Sequence, residues 1–170
     1  MARTIDTLLA ELDQEAATTR RVLERVPGDK LGWKPHAKSM SLGQLALHVA
    51  SIPGAIAKLL LNDGLDIGNM SFEAPAAESA AELLPALEES LRTAKDVLSG
   101  LSDDKAMASW KLTRGGRELF SAPRIGVIRS IMLNHWYHHR GQLSVYLRLL
   151  DVPVPAIYGR SADEDPFAAP

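Results

Sequence analysis

The side chains in this sequence best placed to do chemistry are its histidines. There are five, His36, His48, His135, His138 and His139, and there is no cysteine. The missing thiols exclude disulfides, thiolate metal ligands and a cysteine nucleophile. His135 and His139 stand at i and i+4, the spacing at which two imidazoles on one helix share a metal ion. At about 100° per residue, with His135 at zero, Ile128 and Tyr146 fall at about 20° and His139 at about 40°. Met132 and Leu150 follow at about 60°, and Ile125 and Leu143 at about 80°. Both histidines therefore lie within an apolar stripe, whereas His138, at about −60°, lies off its centre. On an upstream helix Leu45, Ile52 and Leu59 fall within about 60° of His48, so that it too faces inward. Buried imidazoles need partners for both ring nitrogens. A divalent ion taking one nitrogen from each ring meets that need, and so do carbonyl acceptors around ordinary core histidines. Helical phase does not choose between the two.

The elements that must position these rings are helical. Four segments carry helical periodicity and none carries sustained alternation of period two. In the first, Ile5, Leu8, Leu9, Leu12, Ala16, Thr19, Leu23 and Val26 recur at steps of three and four up to Pro27-Gly28. The second opens at Ser41, with Gln44 completing a capping box, kinks at Pro53 and stops near Asn62-Asp63-Gly64. The third is capped by Ser79 with Glu82, holds Pro85 in its first turns, and runs along Leu84, Leu87, Leu91, Ala94, Leu98 and Leu101. The fourth begins around Ser121, where Pro123 suits a first turn, and reaches about Leu150 before Pro153 and Pro155. Between the third and fourth, Trp110-Lys111-Leu112 and Arg117-Glu118-Leu119-Phe120 flank Gly115-Gly116, spaced for a small hairpin or an irregular loop. The proline- and alanine-rich tail is expected to be ordered only where Ile157 and Tyr158 dock. Four long amphipathic helices in one all-α domain over residues 1–170 suggest a helix bundle.

Composition narrows the partners. Lysine plus arginine number 19 and aspartate plus glutamate 21, a net charge of −2. That balance argues against a domain built to grip nucleic acid. The start, Met1-Ala2-Arg3-Thr4-Ile5-Asp6, lacks the apolar core of a signal peptide. The longest weakly charged stretch, Leu45 to Leu61, falls short of the roughly 20 apolar residues of a spanning helix. A cytoplasmic protein with no membrane partner is expected.

Three runs have a familiar order. Leu31-Gly32-Trp33-Lys34-Pro35-His36, Ser41-Leu42-Gly43-Gln44-Leu45-Ala46-Leu47-His48-Val49-Ala50 and Asn134-His135-Trp136-Tyr137-His138-His139-Arg140-Gly141-Gln142-Leu143 resemble the DinB-like (DinB/YfiT) family. Ile157-Tyr158-Gly159-Arg160-Ser161-Ala162-Asp163-Glu164 is similar to the tail of one branch. The resemblance spans nearly the whole chain. It implies a four-helix bundle with a histidine metal site in its core, commonly a homodimer, with His48, His135 and His139 as ligands of a divalent metal. Some relatives are thiol-dependent transferases or isomerases that use small sugar thiols.

Around the triad the residues admit two readings each. Gln44 and Gln142 can hold an imidazole by hydrogen bond, or serve as cap and surface residues. His36, after a proline, reads as a turn residue. Arg140, at about 140° and off the stripe, can pair an acid or an anionic substrate, and reads first as one end of a solvated salt bridge. Trp33, Trp110, Trp136 and Tyr158 suit a pocket mouth or a core, and Tyr158 beside Gly159 is the hardest to explain as packing. No catalytic residue is identified: Glu15 and Asp13 lie near the apolar face of the first helix, as acids on amphipathic helices commonly do. Three neutral ligands leave an open position, as in catalytic zinc sites, and nickel, iron and manganese also accept imidazole. The leading reading is a metal-dependent enzyme, a thiol-dependent transferase or a hydrolase, acting on a small molecule with any thiol supplied as a diffusible low-molecular-weight cosubstrate. Its rival is a non-catalytic metal- or small-ligand-binding module. A second apolar arc on the fourth helix, Val127, Ile131, Val145 and Leu149, points to a homodimer.

Overall fold

A computed structural model describes residues 3–71 and 73–168. Four long helical segments supply most of its helix. They are α1 (Thr4–Leu23), α2 (Leu42–Leu59), α3 (Leu83–Ser99) and a final run in which α5 (Arg124–Val127) passes through a π-helical stretch, Ile128–Asn134, into α6 (His135–Leu149). A short helix, α4 (Asp103–Met107), precedes two of the three strands, β1 (Gly64–Asp66), β2 (Ser109–Arg114) and β3 (Arg117–Pro123). Helix α2 packs on α3 and α6, and α1 on α3. Ile5, Leu12, Leu45, Leu87, Leu98, Trp136 and Leu143 are fully buried in their common core.

Helix α2 begins as its sequence predicts. Gln44 N donates to Ser41 Oγ (3.2 Å), and Ser41 N donates to Gln44 Oε1 (2.9 Å), the reciprocal cap that satisfies two orphan donors. Pro53 then removes the N–H that would meet the Val49 carbonyl, and that carbonyl accepts from Trp136 Nε1 instead (2.8 Å). The following turn is repaired from α3: Gly54 N donates to Ser90 Oγ (2.8 Å), whose hydroxyl donates to the Ser51 carbonyl (3.0 Å). The helices meet so closely there that a Cβ on Gly54 would come 2.8 Å from both Ser90 Cα and its carbonyl oxygen. By length and composition α2 does reach what a membrane span needs, contrary to the sequence reading, with a mean hydropathy of 1.2 over its 18 residues. However, 56% of that window is buried inside the protein, so its apolarity is spent on packing.

The chain is mostly helical but not all-α. Strand β1 pairs parallel to β2, and β2 antiparallel to β3. Gly115 and Gly116, at φ 57° and 79°, form the hairpin turn, a conformation that favours glycine. Asp66 joins the three strands. Its carboxylate accepts from the amides of Gly68 (2.8 Å), Gly115 (3.1 Å) and Gly116 (2.9 Å) and from Thr113 Oγ1 (2.8 Å). These bonds hold its pKa far below the usual carboxylate range. The sheet is tied to α2 by buried Trp110, whose Nε1 donates to the Leu59 carbonyl (3.2 Å). Buried Arg124 does the same, donating to the carbonyls of Leu60 (3.1 Å) and Asn62 (3.0 Å). Carbonyls at and just beyond the C-terminal end of α2 are thereby satisfied rather than orphaned.

Because Gly54 meets backbone rather than a yielding side chain, Gly54→Ala is expected to destabilise the fold by about 1–3 kcal/mol. The check is urea unfolding, read as a lower midpoint at unchanged slope.

Candidate metal centre

Helix α2 delivers His48, and the first turn after the π-helical stretch delivers His135 and His139. All three are half-buried, and one ring nitrogen from each lies within 4.8 Å of the others. Ring centroids are 5.3 Å apart for His48 and His135, 4.6 Å for His48 and His139, and 4.5 Å for His135 and His139. The sharpest feature is the approach of His135 Nε2 to His139 Nε2, at 2.8 Å. Their far sides are already committed. His139 Nδ1 donates to Gln142 Oε1 (2.7 Å), and the Ile131 carbonyl accepts from the His135 ring. A carbonyl oxygen only accepts, so each ring keeps its proton on that side and turns a lone pair toward the other.

A positive centre between two facing lone pairs would relieve their repulsion, and burial of the rings disfavours a proton in that place. Burial pushes the His48 imidazole down to about 4, helped by the nearby His139 and His135. Burial also lowers His135 and His139, against the opposing pull of the Ile131 and Gln142 bonds. Rings neutral at pH 7 are the form that ligates metal. Among the described residues no carboxylate joins the group. The donor set therefore fits a divalent ion of borderline softness held by three neutral nitrogens with further positions open.

The other candidates separate cleanly. His138 is exposed. His36 is exposed as well, its Nδ1 accepting from Lys38 N (3.1 Å), which is the turn role expected of it. Gln142 holds an imidazole, whereas Gln44 is a cap whose Nε2 donates to the Ala74 carbonyl (3.0 Å). Trp110 and Trp136 are core residues, and Trp33 meets Tyr146 edge to face at 5.6 Å. Asp13 pairs with Lys95 on the surface, and Glu15 is buried against Arg140. Neither acid joins the histidines.

Arg140 corrects the sequence reading. It is 1% exposed and pairs with the Glu15 carboxylate at 2.6 Å rather than standing in solvent. The buried face of α6 is Trp136, Arg140, Leu143 and Leu147. The inward stripe is thus centred on Arg140's side, and the two histidines occupy its edge. Upstream, the π-helical stretch breaks the regular step, which turns Val127 and Leu133 fully inward. Half of the supposed second apolar arc is therefore core or half-buried, while Val145 and Leu149 stay 56% and 57% exposed. Sequence reasoning also missed a second network, in which Arg129 grips Glu11 with two bonds (2.6 and 2.5 Å) and Tyr137 donates to it (2.8 Å). The available signal was acids recurring within the stripe of α1, at Glu11 and Glu15.

A model of the DinB family matches residues 1–166. The uncharacterized protein YrdA of Bacillus subtilis (strain 168) is 23% identical over 164 residues, covering 96% of this chain and 93% of YrdA. The crystal structure of a DinB-like protein from Bacillus cereus ATCC 10987 superposes with a TM-score of 0.67 at 21% identity, covering 93% of this chain and 100% of that one. That of the DinB-like protein YjoA from Bacillus subtilis gives 0.68 at 18% identity, covering 91% and 99%. These likenesses are likenesses of fold.

With metal stripped by chelator, the His48 ring is expected to titrate near pH 4 rather than at its ordinary 6.5, as followed by NMR of the ring protons. Its folded-state pKa is depressed, so the folded form binds fewer protons than the unfolded one. The metal-free protein should accordingly lose stability as pH falls from about 6.5 towards about 4, and not above that range.

Proposed function

The chain belongs to the DinB family, and from that premise we propose that it is a metal-dependent enzyme acting on a small molecule, with His48, His135 and His139 as the protein ligands of a divalent ion. Zinc is the first choice, and nickel, iron and manganese suit the same nitrogens. One observation supports this reading above the others: two ring nitrogens 2.8 Å apart whose protons are directed elsewhere. We read the four long helical segments as the family's four-helix bundle, residues 1–170 as one domain, and the copies as homodimers in the cytoplasm.

When bound, a divalent ion supplies Lewis acidity that ionises a coordinated water or thiol near neutral pH. The chain supplies the geometry for it. Gln142 and the Ile131 carbonyl fix the rings with their ligating nitrogens inward. Burial favours the neutral form of all three imidazoles, so that they present lone pairs rather than charge. No thiol comes from the protein, which has no cysteine. A thiol-dependent transfer accordingly takes a diffusible low-molecular-weight thiol, sulfur bonding to an electrophilic carbon as a leaving group departs. With water in the same role the reaction is hydrolysis. A fully loaded protein that turns over nothing with a range of thiols and electrophiles would instead be a metal- or ligand-binding module.

His135→Ala and His139→Ala are expected to lose metal and turnover together, while His36→Ala keeps both; elemental analysis of untagged protein and a thiol-consumption assay read the two. Turnover that survives loss of the ligands would contradict the mechanism. For the assembly, sedimentation is expected to give twice the 18.5 kDa chain mass. Val145→Glu with Leu149→Glu, on the exposed part of α6, should reduce it to a single chain.

A further inference from the structure

Each ligand histidine of α6 is followed directly by a buried residue that ties the helix to a neighbour. After His135, Trp136 Nε1 donates to the Val49 carbonyl of α2 (2.8 Å). After His139, Arg140 spreads its guanidinium over α1. It pairs with the Glu15 carboxylate (2.6 Å) and donates to the Glu15 carbonyl (3.2 Å) and to Thr19 Oγ1 (3.1 Å). It also donates to the Tyr158 hydroxyl (2.5 Å), which donates in turn to Glu15 Oε2 (2.9 Å). The guanidinium carbon lies 5.3 Å from the centre of the Tyr137 ring and 5.1 Å from that of Tyr158.

Stability alone gives little reason for such a cluster. Burying an arginine and a glutamate costs both their hydration, and apolar residues of similar volume commonly serve as well or better. What the pair adds is direction, because a planar fork of fixed donors admits one orientation where a leucine admits several. Direction matters at this place. For side-chain atoms about 5–6 Å from a helix axis, a 10° rotation moves a ring nitrogen by about 1 Å. Metal–nitrogen distances tolerate about 0.2 Å. Apolar packing does not define rotation that finely, and two directional anchors, one beside each ligand, do.

The second anchor is closed by the C-terminal segment. Glu164 accepts from Ala156 N (3.0 Å) and pairs with Arg21 of α1 and with Arg25 (3.2 Å). Asp163 accepts from Val154 N (2.8 Å) and pairs with Arg148 of α6. Ser161 Oγ accepts from the amides of Asp163 (3.1 Å) and Glu164 (3.0 Å). The segment thus straps α6 to α1 and lays Tyr158 over the guanidinium, with the residue itself 69% exposed and its hydroxyl engaged in the buried pair.

We propose that Arg140, clamped by Glu15 and Tyr158, is a positioning residue for the histidine group, and that seating the C-terminal segment and binding metal are thermodynamically linked through it. The inference rests on the metal reading above. Linkage is reciprocal: a seated segment tightens metal binding, and bound metal holds the segment seated.

Full-length protein tests it with Zn2+ affinity by chelator competition, the visible absorption of the Co2+ form, and hydrogen exchange of residues 152–165 with and without Zn2+. Tyr158→Phe keeps the ring over the guanidinium and removes only the hydroxyl. It is expected to weaken Zn2+ binding about tenfold and to shift the Co2+ bands. Leu98→Ala opens a cavity in α3, which bears no ligand. It should lower the melting temperature and leave the affinity and the Co2+ bands in place, separating positioning from general destabilisation. Zn2+ should slow exchange in the segment of the wild type and not of His48→Ala. Wild type that takes up Zn2+ while Tyr158→Phe binds it equally, with unchanged Co2+ bands, overturns the clamp and leaves the metal reading standing. Wild type that takes up neither metal overturns both.

Discussion

Two imidazole nitrogens held 2.8 Å apart with lone pairs facing each other form the constraint on which the rest of this structure turns. Left alone, such a pair is unfavourable in the way that any buried acceptor without a donor is unfavourable. The fold must therefore hold the rings in place against their own repulsion. It does so locally through Gln142 and the Ile131 carbonyl, and at longer range through the helices that carry the rings. Strain of this sort persists only where the surroundings over-determine it. The π-helical stretch immediately before His135 belongs to the same arrangement, since such stretches re-phase a helix at the cost of regular hydrogen bonding.

The surroundings over-determine it mainly with directional bonds. Leucines and alanines bring α1, α2, α3 and α6 together, but the settings of the helices are defined where a side chain reaches a neighbour's backbone. Ser90 enters α2 beside Pro53, Trp136 takes the carbonyl that Pro53 leaves free, and Trp110 and Arg124 finish the C-terminal end of α2. His48 lies on the turn between the N-terminal cap of α2 and this repaired gap in its hydrogen bonding. A proline inside a helix normally costs stability; here the carbonyl it frees becomes the point at which the two histidine-bearing helices are registered against each other. Apart from those two facing nitrogens, no buried side-chain polar atom among the described residues is left without a partner, as such a design requires.

How far the sequence revealed this follows from how local each device is. The Ser41–Gln44 cap, the hairpin glycines and the shared facing of His48, His135 and His139 are set by residues within a turn or two, and local pattern reads them. Strand β1 has three residues, and its register depends on an aspartate bonded to amides some fifty positions away, so no alternation betrays it. The π-helical stretch is invisible to a fixed angular step, and that step misassigned Val127. Arg140 was misread for a related reason. A charged residue in the middle of a buried face looks like an error of phase unless its partner is known, and Glu15 lies 125 positions earlier.

The placement of that charge bears on the chemistry of the histidines. Acids on α1 face α6, yet each is matched: Glu11 by Arg129 and Tyr137, Glu15 by Arg140 and Tyr158. The Arg129 bonds hold Glu11 below the usual carboxylate range, so its negative charge is locked to an arginine on the α1 side of the helix. A free carboxylate beside the imidazoles would favour their protonated form and would compete to neutralise any cation they hold. By confining the acids to paired positions on one face of α6 and the bare imidazoles to its other edge, the chain favours neutral imidazoles and would leave the charge of an ion held there uncompensated. That is the electrostatic condition under which a nucleophile on such an ion would ionise most readily. The buried arginine therefore bears on the site twice, through the orientation of α6 and through the neutralisation of the acid nearest to it.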